Sequence, residues 1–355
     1  MELLNKNLFK CILLLFLFTS CGKGDIQIVD EPEPSALKAN IYTFDQSQIK
    51  TDEKFSILGY SYDVTKEYLA STSYKKPVID VQKLDAALKT SIVINPESGS
   101  LNNSYAGINA NEYLLDITNR SGVKSKLELS NPKQLLFTGS ITENKALKDN
   151  KHQSNDVGLA STDIVRYIKS LHIEETPSTI QQYVTAAFLK DLETLSPDKF
   201  VETYGTHVLT NISIGGKLRV LYKNNVIKNS DSANKLKDLI EQFSGLLKTA
   251  KIDLFVATKS KSESLIHREN YDEEFYFISD RDAGIGMDYN KELKTNIPNL
   301  QKLEWEKSIT NANATLADVD WEKTYPIYDF IPQSHQKYTQ AIKAAVIKYI
   351  ETKKL

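Results

Sequence analysis

The chain has 355 residues, 41% of them hydrophobic and 25% charged, the balance of an ordinary globular protein with ample material for a core. The formal net charge is −2, so no whole-chain basic field points to nucleic acid as a partner.

The N-terminus reads as a processing segment rather than as structure. Lys6 and Lys10 form a short positive stretch, and Cys11 to Phe18 is apolar but too short to span a bilayer as a stable helix. Phe18-Thr19-Ser20-Cys21 follows and resembles a bacterial lipobox, with Phe18 where leucine is commoner. The expectation is a lipoprotein signal peptide over residues 1–20, with lipid attached at Cys21; the competing reading is a secretory signal with an incidental cysteine. Three acyl chains would anchor the protein stably, where one binds only marginally. Cys21 would be the only cysteine left after cleavage, which excludes a disulfide within the mature chain and a cysteine cage for zinc. Residues 21–39 read as lipid anchor and acidic tether, with Asp25, Asp30, Glu31 and Glu33 among Gly and Pro. That tether resembles a surface-export signal of some Gram-negative groups, or is a plain solvated linker.

From residue 40 to the end no second linker is visible. Leu58–Leu69 is strand-like and interrupted by Gly59; Lys76–Leu88 reads as a short strand, then a helix; Ala110–Gly122 reads as a strand ending in a turn. Residues 123–157 are polar. Ser161–Glu175 alternates and reads as a long strand with a bend or bulge. Tyr183–Leu195 is helical, and Ser196-Pro197 restarts a helix, since Ser caps well and Pro fits the first helical position. His207–Asn224 is strand-like on both sides of Gly215-Gly216. Leu236, Leu239, Ile240, Phe243, Leu246 and Leu247 make one stripe of an amphipathic helix, and Ile342, Ala345, Val346 and Ile350 do the same in the last helix. Strands and helices alternate irregularly, which favours an α+β domain with a mainly antiparallel sheet.

The sharpest motif is Tyr204-Gly205-Thr206-His207, seven residues, then Gly215-Gly216. It closely resembles the signature of the membrane attack complex/perforin (MACPF) family, and the lead-in helix, Leu58–Leu69, Trp305–Ile309 and Pro326–Ile331 resemble further family blocks in the right order. The type resembled is the lipoprotein-like Bacteroidales secreted antimicrobial proteins. The resemblance covers residues 40–355 and implies a MACPF/cholesterol-dependent-cytolysin-like fold: a bent four-stranded antiparallel sheet flanked by two helical clusters that become transmembrane β-hairpins. By family position those clusters are about residues 121–158 and 225–268. Val123, Leu127, Leu129, Phe137 and Ile141 are then candidate membrane-facing residues, since they alternate with polar neighbours as barrel strands do. In the fourth-strand region, Phe275–Asp288 departs from the family pattern, with Gly284 and Gly286 separated and two aspartates added, a change to the hinge that bears on lytic activity more than on the fold.

The glycine pair lets a long strand bend or another backbone approach. Outside such a motif it would read as a static bulge; inside it, as a bend that can straighten. The five histidines, at 152, 172, 207, 267 and 335, show no ligand spacing, so His207 reads as a buried structural residue hydrogen-bonded at the bend, and Tyr204 as core with its hydroxyl tied to a partner. No nucleophile elbow, phosphate loop or paired-carboxylate signature is present, so no enzyme is expected.

The resemblance implies a pore-forming antibacterial toxin without cofactor, monomeric in solution and homo-oligomeric on the target bacterial membrane, reached through a surface receptor such as a glycan, lipopolysaccharide or outer-membrane protein. It would reside in the outer membrane, surface-exposed, or leave on vesicles. The rival is a non-lytic surface lipoprotein for adhesion or glycan binding on the same scaffold, because fold alone does not determine function.

Overall fold

Two long strands organise the molecule because their sequences alternate over more than a dozen residues with a face buried on each side. The computed structural model describes residues 37–43, 53–121, 140–141, 157–225, 231–252 and 273–353. In chain order the strands are β1 (Lys38–Thr43), β2 (Tyr60–Tyr62), β3 (Tyr74–Pro77), β4 (Ile92–Pro96), β5 (Ser100–Gly107), β6 (Val157–Ile173), β7 (His207–Val208) and β8 (Asn211–Asn225). They continue as β9 (Glu274–Ser279), β10 (Ile285–Asn290), β11 (Thr295–Leu300), β12 (Thr315–Val319) and β13 (Tyr325–Pro326). The helices are α1 (Val81–Ala87), α2 (Ala110–Arg120), α3 (Pro177–Ile180), α4 (Ala186–Thr194), α5 (Pro197–Tyr204), α6 (Ser232–Thr249), α7 (Lys302–Lys307) and α8 (Thr339–Thr352).

The main sheet runs β1-β9-β8-β6-β4, with β12 also on β8 and β5 also on β6. Each long strand changes partner partway. β8 pairs with β12 over Ile212–Gly215 and with β9 over Leu218–Lys223, while β6 pairs with β5 up to Arg166 and with β4 from Lys169. Both changes fall where the β6–β8 register slips between Tyr167 and Lys169, opposite Gly215. A bulge of this kind bends the strand and raises its twist. The expected bend therefore lies at the glycine pair. The sheet itself has seven strands and is mixed, where four antiparallel strands were expected. The partner changes split its outer strands, and β1 adds to the β9 edge in parallel. Leu37 is buried and β1 follows it directly, so the sheet takes in the last residues of the stretch read as tether.

The core lies on both faces of this sheet. On one face Leu218, Val220 and Tyr222 meet Leu239, Phe243, Leu246 and Leu247 of α6. On the other, Leu221 and Ile278 join the larger cluster built from α2, α4, α5 and α8. A second, four-stranded sheet, β13-β7-β2-β3, packs beyond the bend.

Helix α2 corrects the reading of Ala110–Gly122 as a strand. Asn109 caps it, its side chain accepting from the Glu112 N–H, and Tyr113, Leu114 and Ile117 bury one helical face. The buried residues Ala110, Tyr113, Leu114 and Ile117 fall at i, i+3, i+4 and i+7, the helical spacing, so the period as well as the cap favours the helix. The other predicted helices form as read. Ser196 caps α5 with Pro197 at the first position, and α6 and α8 bury their expected stripes.

Candidate functional site

The signature sits where the small sheet hands the chain to the long strand β8. Helix α5 ends at Gly205, whose φ of 80° lies in the region open to glycine, and a Cβ there would stand 2.7 Å from the Tyr62 carbonyl oxygen. Thr206 follows, donating its N–H to the same carbonyl at 2.8 Å, while its hydroxyl lies 2.9 Å from His207 Nδ1. His207 is buried in β7 between Tyr62 and Pro326, with the edge of Trp321 at 6.0 Å between ring centroids. It belongs to the small sheet rather than to the Gly215-Gly216 bend. Tyr204 is buried against Phe188 and Phe200, and its hydroxyl donates to Asp191 at 3.0 Å. Lys76 also binds Asp191, at 2.9 Å, and holds that carboxyl below its ordinary range; Tyr204 is pushed up, mainly by burial. Signature residues 204–207 thus work as a structural joint.

The bend is tighter than its sequence shows. A Cβ on Gly215 would collide with the carbonyl oxygen of Arg166 on β6, so only glycine fits. At Gly216 the obstacle is the Ile309 side chain at 2.5 Å, which can move. Beside the pair, Asp280 closes the gap that β9 and β12 leave along β8. Its Oδ2 accepts from the Lys217 N–H at 3.2 Å, from the Thr315 hydroxyl at 2.8 Å and from Arg281 at 2.6 Å. One carboxylate therefore binds all three strands where ladder bonds lapse. The departure noted around Phe275–Asp288 falls at this junction. Gly284 serves differently: with φ of 71° it packs on the backbone of Trp305 at the start of α7.

Along β8, Lys217, Arg219 and Lys223 project from one face and are all buried. Arg219 grips Asp163 of β6 with two bonds, 2.6 and 2.8 Å, and Glu67 at 2.7 Å. Lys223 reaches Glu274 at 3.2 Å. Lys217 donates to the Tyr68 carbonyl at 3.0 Å; burial, helped by the Arg219 charge, lowers its pKa to about 8. Nearby, Tyr113 meets Ser161 at 2.7 Å, and burial raises Tyr113 to about 12. Buried charges of this kind are tolerated only while paired and hydrogen-bonded. The opposite face of the same segment is Leu218, Val220 and Tyr222 on α6. The run Lys217–Lys223 thus alternates polar and apolar as a barrel strand does except at Leu221, which shares the charged face, and it lies outside the two clusters that the sequence points to. Period-two counting along Lys217–Lys223 would have found it.

Of the candidate membrane-facing residues, Ile141 is buried in the larger core cluster, while Val123, Leu127, Leu129 and Phe137 lie outside the described residues, as does Cys21. No helix among the described residues is long and apolar enough to cross a membrane, which leaves strands untouched as a route. Groups of metal-ligating side chains are also absent among the described residues.

A bent central sheet with a glycine joint, charges sealed under one face and helices on both defines an α+β protein of mixed-sheet architecture. Residues 53–355 match the model of the MAC/Perforin domain, and the chain belongs to that family. The family comprises non-enzymatic pore formers that generally oligomerise on membranes. Among solved structures, the chain is similar to a proposed cell-invasion protein with a MAC/Perforin domain from Bacteroides thetaiotaomicron VPI-5482, at 19% identity and a TM-score of 0.59. That match covers 88% of this chain and 63% of the other. It is also similar to GNIP1Aa from Chromobacterium piscinae, at 14% identity and a TM-score of 0.56, over 84% of this chain and 56% of that one. The chain thus spans about 63% and 56% of these two structures, and at such identities the likeness establishes the fold. No curated protein matches the chain in sequence.

Proposed function

We propose that this protein is a pore-forming antibacterial toxin: it binds a susceptible bacterial membrane, assembles into a ring and inserts strands that continue its bent sheet. The observation that carries this reading is the two-faced run Lys217–Lys223. In the folded chain its apolar face is covered by α6 and its charged face by residues 63–70 and α2. Lift α6 away and the apolar face suits lipid, while the charges suit a water-filled lumen; closed strand pairing satisfies the backbone. The bend at Gly215, opposite a bulge, is where such a sheet would straighten. A receptor on the target surface, lipidation at Cys21 and residence in the outer membrane or on shed vesicles complete the proposal.

A reducible bis-thiol linker between Tyr222→Cys and Phe243→Cys tests it, since those rings stack with centroids 6.1 Å apart. We expect dye uptake by a panel of Gram-negative strains to be absent while α6 is tied down and restored by reduction. Uptake by the tied protein would overturn the mechanism. Palmitate labelling lost in Cys21→Ser checks the anchor.

The rival reading, a non-lytic adhesin, draws on the β10–β11 hairpin, where Met287 and Tyr289 are 41% and 64% exposed. Binding to cells without dye uptake in any strain would favour it.

A further inference from the structure

We infer that Asp318 makes the bend sensitive to pH: protonated, it lets β6, β8 and β12 stay bent together, and ionised it favours opening of the joint. The inference rests on the proposed straightening at Gly215 and adds its regulation.

The geometry singles out this carboxyl. Strands β6 and β12 flank β8 at the bend, and each carries a bulge there. Tyr167 and Thr315 both lie opposite Gly215, and Lys169 and Leu316 both lie opposite Ile214. Ile168 is therefore the extra residue of β6, and Ala317 that of β12, one rung further on. Bulges re-aim the side chains beside them. Here Asp318 comes to face Tyr167 across β8, its carboxylate 3.4 Å from the phenol hydroxyl. Gly215, which has no side chain, lies between their strands.

The half-buried carboxylate has no cation to offset its lost hydration. It accepts from the Val319 N–H at 2.8 Å and from the long Tyr167 bond, and among the described residues it forms no ion pair. The titratable groups around it are Tyr167 of β6, Tyr68 of the segment that covers the charged face, Glu97 between β4 and β5, and Asp320 just beyond β12. The cations of this region bind elsewhere: Arg166 the Gly99 carbonyl, Lys169 those of Glu53 and Lys54, and Lys217 that of Tyr68. Burial holds the Asp318 carboxyl above its ordinary range against the pull of its two hydrogen bonds, and the charges of Asp320 and Glu97 add to the rise. After burial, the charge of Asp318 in turn pushes Tyr68 and Tyr167 up.

The bent form thus holds the Asp318 proton more tightly than an opened form in which water reaches the carboxyl. Its advantage is fully present in acid and is lost as pH rises through the raised pKa. The proton comes from solvent and returns there. Acid closes the joint, and neutral pH eases it.

Hydrogen exchange of the purified protein, corrected for intrinsic rates, measures opening at the amides of residues 166–170 and 212–216. In the parent, opening should grow at least about fivefold from about pH 4.5 to 7.5. Asp318→Asn stays neutral throughout and should flatten that rise. Tyr167→Phe removes one bond to the carboxylate and should move the midpoint to higher pH. A merely structural Asp318 would set the level of exchange and leave its pH profile unchanged. Opening that does not grow with pH in the parent, or that grows equally in Asp318→Asn, overturns the inference. Dye uptake by target strains with such unchanged profiles would overturn the switch and leave pore formation standing. The expected profiles without dye uptake by any strain at any pH would keep the switch and overturn pore formation.

Discussion

Lys217 gives the most quantitative expectation. Its ammonium is buried in β8, beside the Arg219 guanidinium, and its pKa falls from 10.5 to about 8. Folding thus favours the neutral form, and between these values the unfolded chain binds more protons than the folded one. Stability must therefore rise with pH across this window, the same sign as for a paired carboxylate but at alkaline rather than acidic pH. At about 1.4 kcal/mol per pKa unit, the full linkage is about 3 kcal/mol, of which about 2 kcal/mol falls between pH 8 and pH 10. Above pH 10 tyrosine ionisation in the unfolded chain opposes the rise, because burial raises Tyr113 to about 12 in the fold. Lys217→Met removes the titrating group. It also removes the bond to the Tyr68 carbonyl, which shifts the variant by a constant and leaves the slope clean. Urea unfolding of parent and variant at steps from pH 7.5 to 10 measures the difference. A parent-minus-variant stability that climbs by about 2 kcal/mol supports the buried ammonium; a flat or falling difference refutes it.

Other substitutions probe the joint and the sealed charges. Gly215→Ala should cost at least about 1–3 kcal/mol in urea unfolding, because β6 and β8 must part to admit the methyl group, while Gly216→Ala should cost less because Ile309 can move. Arg219→Met should cost about 3–5 kcal/mol by stranding Asp163 and Glu67, and the triple change with Asp163→Leu and Glu67→Leu should recover much of it in the same assay. Tyr204→Phe should lower stability by about 1 kcal/mol through loss of the Asp191 bond, read as a shift in the urea midpoint.

Local chemistry made much of the molecule readable from residues alone. Ser196-Pro197 marks the start of α5 because capping and a fixed φ act within one turn, and α6 and α8 show their buried stripes because helical faces repeat every three or four residues. The bend announced itself through Gly215-Gly216, and the alternation of Ser161–Glu175 through its period of two. The strand reading of Ala110–Gly122 failed although the signal was local: Ala110, Tyr113, Leu114 and Ile117 keep the helical spacing behind the Asn109 cap, and that face packs on β5 and β6.

Long-range pairing settled the rest. Nothing in Lys38–Thr43 says that it will lie parallel to residues more than two hundred positions later, because strand pairing depends on what edge is free once the sheet has formed. Asp280 looked like an added acid and ties the end of β9 to β8 and β12, and Glu67 neutralises an arginine buried across the sheet. The sequence by itself determined the family signature, the helices with strong caps and stripes, and the site of the bend, since each is written within a few turns or strand periods. Only the tertiary structure decided which strand covers the β9 edge, which charges are sealed beneath β8 and why Gly215 admits no side chain. Each of those depends on atoms brought together across the chain.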